Sequence, residues 1–411
     1  MPTVYLHIGM PKTGTTFVQF LLRKNNAVLR KHGYDYVRTR YKFSNISNLR
    51  NAHFLIPEQM DENKNPLPDK DREIYKLVLP RVIASAKKFG NAIISDELLW
   101  LRENVPFKQF KDALNKKGID LKVIVYLRRQ DTFIESYWGQ LVKINVKLPF
   151  KDYASLEHQD YLKLDFEKRL AYLEDIFGFE NMIVRVYERE QFAGKNKNLV
   201  SDFLEAIGLG DKIDETTDFE GFNNPEFSSV NYSLGGIYLE TKRLLNQVST
   251  FHTKNNFVVE MLYNLMQKDE NPDRTKTKIF TYSERLEFMK RYEASNQAVA
   301  DKYLNGGSLY KEKIKNDNSE NASYTIEEIT KICAQIIAAQ HKELAATKKS
   351  LEKTQAKADK LKERYIEQKL TIKELKKTVK HQQSTINWIT TSFPKKVVRK
   401  LKNTFKKKTL P

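Results

Sequence analysis

The sequence predicts an α/β domain with a central parallel sheet flanked by helices, followed by a C-terminal helical extension. Three observations lead to that class. Apolar, β-branched runs stand at Val4–Ile8, Leu121–Leu127 and Met182–Val186, each the length of a strand. Each is followed by a stretch of helical character, and strands alternating with helices favour parallel pairing. Beyond residue 325 the pattern changes to a seven-residue repeat with a lysine-rich background.

The first strand, Val4-Tyr5-Leu6-His7-Ile8, runs into Gly9-Met10-Pro11-Lys12-Thr13-Gly14-Thr15-Thr16 and then a helix-like stretch from Phe17 to Leu29. A buried strand, a glycine-containing turn and a helix N-terminus cradle anions, because backbone N–H groups and the helix dipole point at the same spot. The element is P-loop-like and suits a nucleotide. A Walker A loop, however, places its lysine directly after the second glycine, followed by a Ser or Thr that holds magnesium. Here Lys12 lies inside the loop, ahead of Gly14.

The next strand, Leu121–Leu127, ends at Arg128-Arg129-Gln130-Asp131, and Thr132 to Lys143 reads as a helix. Arg128 therefore stands at a strand's carboxyl end, with Ser136 eight residues on. A guanidinium there and a hydroxyl from the following helix can meet on one phosphate. The Met182–Glu188 strand carries Tyr187 at its end, and Leu199 to Ile207 has the helical pattern Val200, Phe203, Leu204, Ile207.

Read as a unit, Pro11-Lys12-Thr13-Gly14-Thr15-Thr16 resembles the 5′-phosphosulfate loop of sulfotransferases that use 3′-phosphoadenosine-5′-phosphosulfate (PAPS), in particular the bacterial, carbohydrate-type branch. The strand, Arg128 and Ser136 resemble that family's 3′-phosphate motif, and the Tyr-Glu strand end with its Asp-Phe-Leu helix fits as well. The resemblance covers about residues 3 to 310, including Asn224 to Asn246 and Ser295-Asn296. It implies PAPS as co-substrate, Tyr187 at the adenine edge and Phe17 stacked on the adenine face. Either ring would accept another base equally well. It also implies that backbone N–H groups of Thr13, Gly14, Thr15 and Thr16 hold the 5′-phosphate, while Lys12 neutralises the bridging and equatorial oxygens. A fixed ammonium then takes the role that a metal has in kinases, so the reading requires no metal ion. One feature departs from the family. The Arg-Lys-Gly triplet that closes over the 3′-phosphate in the cytosolic animal enzymes has no counterpart, and Arg274, Lys276 and Lys278 are the substitutes to consider.

Sulfuryl transfer also needs a base for the acceptor proton, and family members use His or Glu. Two residues qualify. His53 lies in a long loop-like region from about Tyr34 to Asp71, where an acceptor would bind, and resembles a His found there in bacterial sulfotransferases. Glu97 follows the short apolar strand Ile93-Ile94 and so stands at the carboxyl edge that carries the cofactor, though an acid there also suits the first turn of a helix. The two are taken together as a proton-handling pair, unranked.

Of the formal charge of +19, +15 falls in residues 345 to 411. Residues 1–310 form the expected catalytic domain, 311–324 a polar linker, 325–392 a coiled-coil helix and 393–411 a basic amphipathic tail. Ile337, Leu344, Leu351, Ala358, Tyr365, Ile372, Val379 and Ile386 recur every seven residues, a signal of homo-oligomerisation or a partner helix, the alternative being a solvent-exposed helix that folds back on the catalytic domain. Three residues further on the position is mixed, apolar at Leu361, Leu375 and Ile389 but polar at Gln340, Thr347, Thr354, Gln368 and Gln382, so the seam is imperfect. The tail carries eight basic residues and no acid, with Val397, Leu401 and Phe405 four apart. It suits an anionic membrane surface, nucleic acid being the less favoured polyanion, or serves only solubility.

A single cysteine, Cys333, the lack of an N-terminal apolar leader and the absence of any run of 18 apolar residues point to a cytoplasmic protein, peripheral at the inner membrane face if the tail docks there. The expected function is transfer of a sulfuryl group from PAPS to a hydroxyl of a glycan or lipid-linked saccharide. A P-loop kinase and a non-catalytic coiled-coil adaptor with a nucleotide-binding head are the alternatives.

Overall fold

In the computed structural model of the chain, residues 1–39, 47–57, 72–222, 234–248, 257–275, 279–316, 324–392 and 395–406 are described. Five strands, β1 (Thr3–Gly9), β2 (Tyr34–Tyr36), β3 (Asn91–Ser95), β4 (Asp120–Leu127) and β5 (Met182–Val186), form one sheet in the order β2-β3-β1-β4-β5. Every neighbouring pair is parallel. Parallel strands need crossovers and so are covered by helices on both faces, which explains why these strands read as near-continuous apolar runs. Val4, Leu6, Ile8, Ile93, Ile94, Val123, Ile124 and Val125 are all fully buried.

The central strand decides where a ligand can sit. From β1 the chain goes outward to β2, returns through helix α3 (Glu73–Phe89) to β3 on one side of β1, and then passes helix α4 (Phe107–Asn115) to β4 on the other. The strand order thus reverses at β1, and crevices at the carboxyl ends of strands open at such a point.

Two helices follow β1, where the sequence reads as one. Helix α1 (Thr15–Lys24) buries Val18, Leu21 and Leu22, and α2 (Asn26–Lys31) continues after a break at Asn25. The Asn25 side chain donates to the carbonyls of Leu21 (3.0 Å) and Glu220 (3.1 Å), satisfying the end of α1 and tying it to a distant segment. Similarly, part of the expected Tyr34–Asp71 loop is ordered structure: Tyr34–Tyr36 is the edge strand β2 and His53–Leu55 a short 3₁₀ turn. Three residues are too few to show a period in sequence. Helix α5 (Gln130–Ile144) starts three residues beyond the end of β4 and buries Phe133, Ile134, Tyr137 and Trp138. The helix Leu199–Ala206 opens with a capping box between Asn198 and Ser201.

The chain divides into two compact units, Met1–Cys333 and Ala334–Pro411. The second consists of the greater part of one long helix, Ile326–Ser392, and of a shorter one, Lys395–Lys406. Among the described residues no helix is long and apolar enough to cross a membrane.

Candidate active site

The loop from Gly9 to Gly14 turns three times through the left-handed region, at Gly9 (φ 83°), Lys12 (φ 66°) and Gly14 (φ 72°). Glycine is required at both ends. A Cβ on Gly9 would lie 2.7 Å from the Cα of Glu97, and one on Gly14 would lie 2.4 Å from a methyl of Leu199. Lys12 is the one non-glycine of the three, and a bulky residue held there costs on the order of 1 kcal/mol. Its conformation is braced. Arg128 Nη1 donates to the Lys12 carbonyl oxygen at 2.6 Å, and the Thr13 hydroxyl donates to the Met10 carbonyl at 2.6 Å. Gly14 caps α1 without any side-chain cap, so the first-turn N–H groups of Thr15 and Thr16 face the loop.

Three cations converge on this turn. The Lys12 ammonium is pushed down to about 8 by burial first and then by Lys143 and Arg128, with Glu97 opposing. Burial likewise lowers Arg128 and Lys143 from their ordinary values. The like charges of Lys143 and Arg128 both add to the depression of Lys12, so the turn is electropositive. The Arg128 guanidinium also lies 5.6 Å from the Tyr187 ring centre, and its Nε donates to the Thr132 hydroxyl at 3.2 Å. Pro11 is buried, and Ser136 is half-buried in the second turn of α5. Phe17 packs against Phe222 at 6.1 Å between ring centres, and Tyr187 edges onto Phe192 at 5.8 Å.

Opposite the cations, β3 delivers two adjacent acids. Asp96 is fully buried, receives His53 Nδ1 at 2.8 Å and Arg50 Nη2 at 2.5 Å, and caps the following 3₁₀ turn through the Leu98 N–H at 2.8 Å. The carboxylate is much closer to His53 Nδ1 than the Arg50 guanidinium is (3.4 Å), and a guanidinium cannot accept, so Nδ1 donates its proton to Asp96. Glu97 accepts from Gln19 Nε2 at 2.9 Å and stands 3.5 Å from Arg50 Nε, an ion-pair distance. Burial raises the Glu97 carboxyl above its ordinary value, Asp96 adds to the rise, and Arg50 and Gln19 oppose it.

The two base candidates are therefore joined through Arg50, with Asp96 on one arm and Glu97 on the other. The turn that holds His53 is anchored to β3: the Asn51 side chain accepts from the Ser95 N–H (2.7 Å) and donates to the Ile93 carbonyl (3.2 Å). Beneath Glu97 a buried polar chain continues from Gln19 to the Ser95 hydroxyl (3.1 Å) and from there to His7 Nδ1 (2.9 Å). Burial pushes His7 down to about 4, so this imidazole is neutral. Arg50, Asp96, Gln19, Ser95 and His7 were not legible as site residues. Only Asp96, beside Glu97 at a strand end, carried a local signal.

Of the residues considered for the 3′-phosphate, Arg274 stands 3.4 Å from the Asp269 carboxylate, which also receives the Tyr238 hydroxyl at 2.6 Å. Lys276 and Lys278 lie outside the described residues, as do Asn224 to Ser233 of the segment read as resembling the family. A different segment reaches the β4 and β5 ends. Glu188 accepts from the N–H groups of Lys311 (2.8 Å) and Glu312 (2.9 Å), and Arg129 Nη1 donates to the Glu312 carbonyl (3.0 Å).

No family model matches the chain. It is 28% identical over 223 residues to an uncharacterized protein of Archaeoglobus fulgidus, a stretch covering 54% of each chain, so the match spans about half the length of that relative. Among solved structures it is similar to the sulfotransferase from Alicyclobacillus acidocaldarius, with 15% identity, a TM-score of 0.35, and coverage of 62% of this chain and 98% of that one.

Proposed function

We propose that the protein transfers a sulfuryl group from PAPS to a hydroxyl, with Lys12 and Glu97 facing each other across the reacting sulfur. The observation that carries this reading is the placement of Lys12. It sits in a strained turn braced by Arg128, feels Glu97 electrostatically, and occupies the loop position that resembles a phosphosulfate loop rather than a Walker A lysine.

The step is an in-line displacement. The acceptor oxygen forms a bond to sulfur while the bond from sulfur to the 5′-phosphate oxygen breaks, and the acceptor proton passes to Glu97. Lys12 stabilises the charge that grows on the leaving oxygen, where a preorganised cation in a poorly hydrated site acts most strongly. A carboxyl raised by burial is better matched to taking a proton near neutrality than an exposed one. Arg50 and Gln19 hold that carboxylate in place. His53, held through Nδ1 by Asp96, orients the incoming hydroxyl. Arg128 and Ser136 are the assigned 3′-phosphate ligands, with Lys311 and Lys313 as further basic residues on the segment strapped to Glu188. Phe17 and Tyr187 serve the adenine.

The acceptor is taken to be a hydroxyl of a glycan or a lipid-linked saccharide. The basic helix Lys395–Lys406 supports an acceptor displayed at an anionic surface. The deciding experiment compares binding of PAPS and ATP by calorimetry, with and without magnesium, and follows transfer of labelled sulfate to host glycans. Tight, magnesium-independent PAPS binding with labelled product supports the reading. Preference for magnesium-ATP overturns it in favour of a kinase.

A further inference from the structure

The long C-terminal helix carries an exposed apolar seam and a charge pattern that selects what covers it. Between Ala334 and Ser392 the seven-fold repeat is helical throughout. Its members from Ile337 to Ile386 are exposed, the larger side chains by 51% to 66%. Leu361 and Leu375, three residues further on, are 65% and 59% exposed. These are a and d positions of a heptad.

The period argues for a helical partner over a flat surface. An α-helix drifts by roughly 20° per heptad against a strict seven-residue repeat, so across seven repeats the stripe winds by about 140°. A membrane plane cannot follow such a stripe. A second helix can, by supercoiling around it.

The flanks then decide which helix. From Ile337 to Ser392 the e and g positions hold Lys348, Lys357, Lys362, Arg364, Lys369 and Lys376 and a single acid, Glu343. The other five acids of the same stretch, Glu352, Asp359, Glu363, Glu367 and Glu374, lie at b, c or f, away from the seam. In a parallel pair of identical chains, Lys357 would face Lys362 and Arg364 would face Lys369. An antiparallel pair sets e against e and g against g, again basic against basic. Like charges at these positions oppose pairing, and opposite charges choose partners.

We propose that this helix is one strand of a heteromeric coiled coil, and that its occupant is an acidic α-helix of another protein with apolar a and d residues and Glu or Asp at e and g. The proposal is independent of the donor-site reading.

The test uses the full chain and three labelled synthetic peptides of about 35 residues, five heptads long. One has Ile and Leu at a and d with Glu at e and g, one has Lys at e and g, and one is a scrambled version of the acidic peptide. The acidic heptad peptide should bind at least about tenfold more tightly than either of the others, since e and g charges set partner choice. The chain itself should sediment as a monomer. The double variant Lys357→Glu/Arg364→Glu places acids opposite Lys362 and Lys369 of a second copy. It should dimerise and lose the preference for the acidic peptide, with unchanged helical circular dichroism. A wild-type dimer that is lost on deleting residues 334–411 overturns the proposal. Equal affinity for the acidic and scrambled peptides does so too, as does a wild-type chain that binds none of them.

Discussion

Arg128 holds the carbonyl oxygen of Lys12 at 2.6 Å, and so a side chain from the end of β4 fixes the backbone of a strained turn that begins at the end of β1. The two residues are 116 apart in sequence and act as one unit. The guanidinium fixes the backbone that carries the ammonium, and its charge adds to the lowering of the Lys12 pKa.

Lys12→Ala should lower turnover by at least about 100-fold, as loss of one preorganised transition-state contact does, with little change in donor affinity. The fold should persist, because burial of the ammonium is itself unfavourable. Single-turnover kinetics and thermal melting measure both. Activity within about tenfold of wild type would remove Lys12 from the mechanism.

Arg128→Ala should cost the protein its preference for 3′,5′-bisphosphoadenosine over 5′-AMP. A charge-assisted contact contributes about 1.5–3 kcal/mol, so the wild-type preference should be roughly ten- to a hundredfold. Calorimetric titration of both nucleotides into both proteins reads it directly. Equal affinities in the wild type would assign Arg128 to the loop's conformation alone.

The pH profile of kcat/KM should be bell-shaped. Lys12 must be charged, so activity declines as pH rises through about 8. Glu97 must be ionised, and its raised pKa places the acid limb above the ordinary carboxylate value, with activity lost as pH falls through it. Glu97→Gln should abolish the acid limb and slow the reaction by about 10²–10⁴-fold. An acid limb that survives Glu97→Gln and vanishes in His53→Asn would reverse the two roles.

His7 makes stability sensitive to acid. The folded chain keeps it neutral down to about 4, whereas the unfolded chain binds a proton at the ordinary 6.5. Between those values the unfolded state carries more protons, so stability falls as pH drops, by roughly 3 kcal/mol across the window. Urea titrations at pH 7, 5.5 and 4.5 should show the decline, and His7→Asn, which can still bond Ser95, should flatten it. A decline of the same size in the variant would place the acid-sensitive group elsewhere.

Deleting residues 393–411 should abolish salt-sensitive binding to anionic vesicles and leave turnover on a soluble acceptor unchanged. The helix Lys395–Lys406 carries basic residues and no acid. Screening lengths shrink from about 10 Å at 0.1 M salt to about 3 Å at 1 M, which weakens any such attraction. Co-pelleting with phosphatidylserine vesicles at both salt concentrations decides it. Salt-independent binding, or none by the full chain, would sink the membrane role.

The amino-acid sequence by itself determined what depends on neighbours along the chain. Gly9, Lys12 and Gly14 lie within six residues, so their turn is local, and apolar runs identify the strands that a parallel sheet buries on both faces. The heptads, likewise, are a matter of spacing. The site's other half came only from the tertiary structure. Gln19 reaches Glu97, Arg50 and His53 reach Asp96, and His7 reaches Ser95, across separations of 43 to 88 residues. No local pattern encodes those contacts. They exist because β1 lies between β3 and β4, where the chain reverses direction across the sheet and three strand ends share one edge.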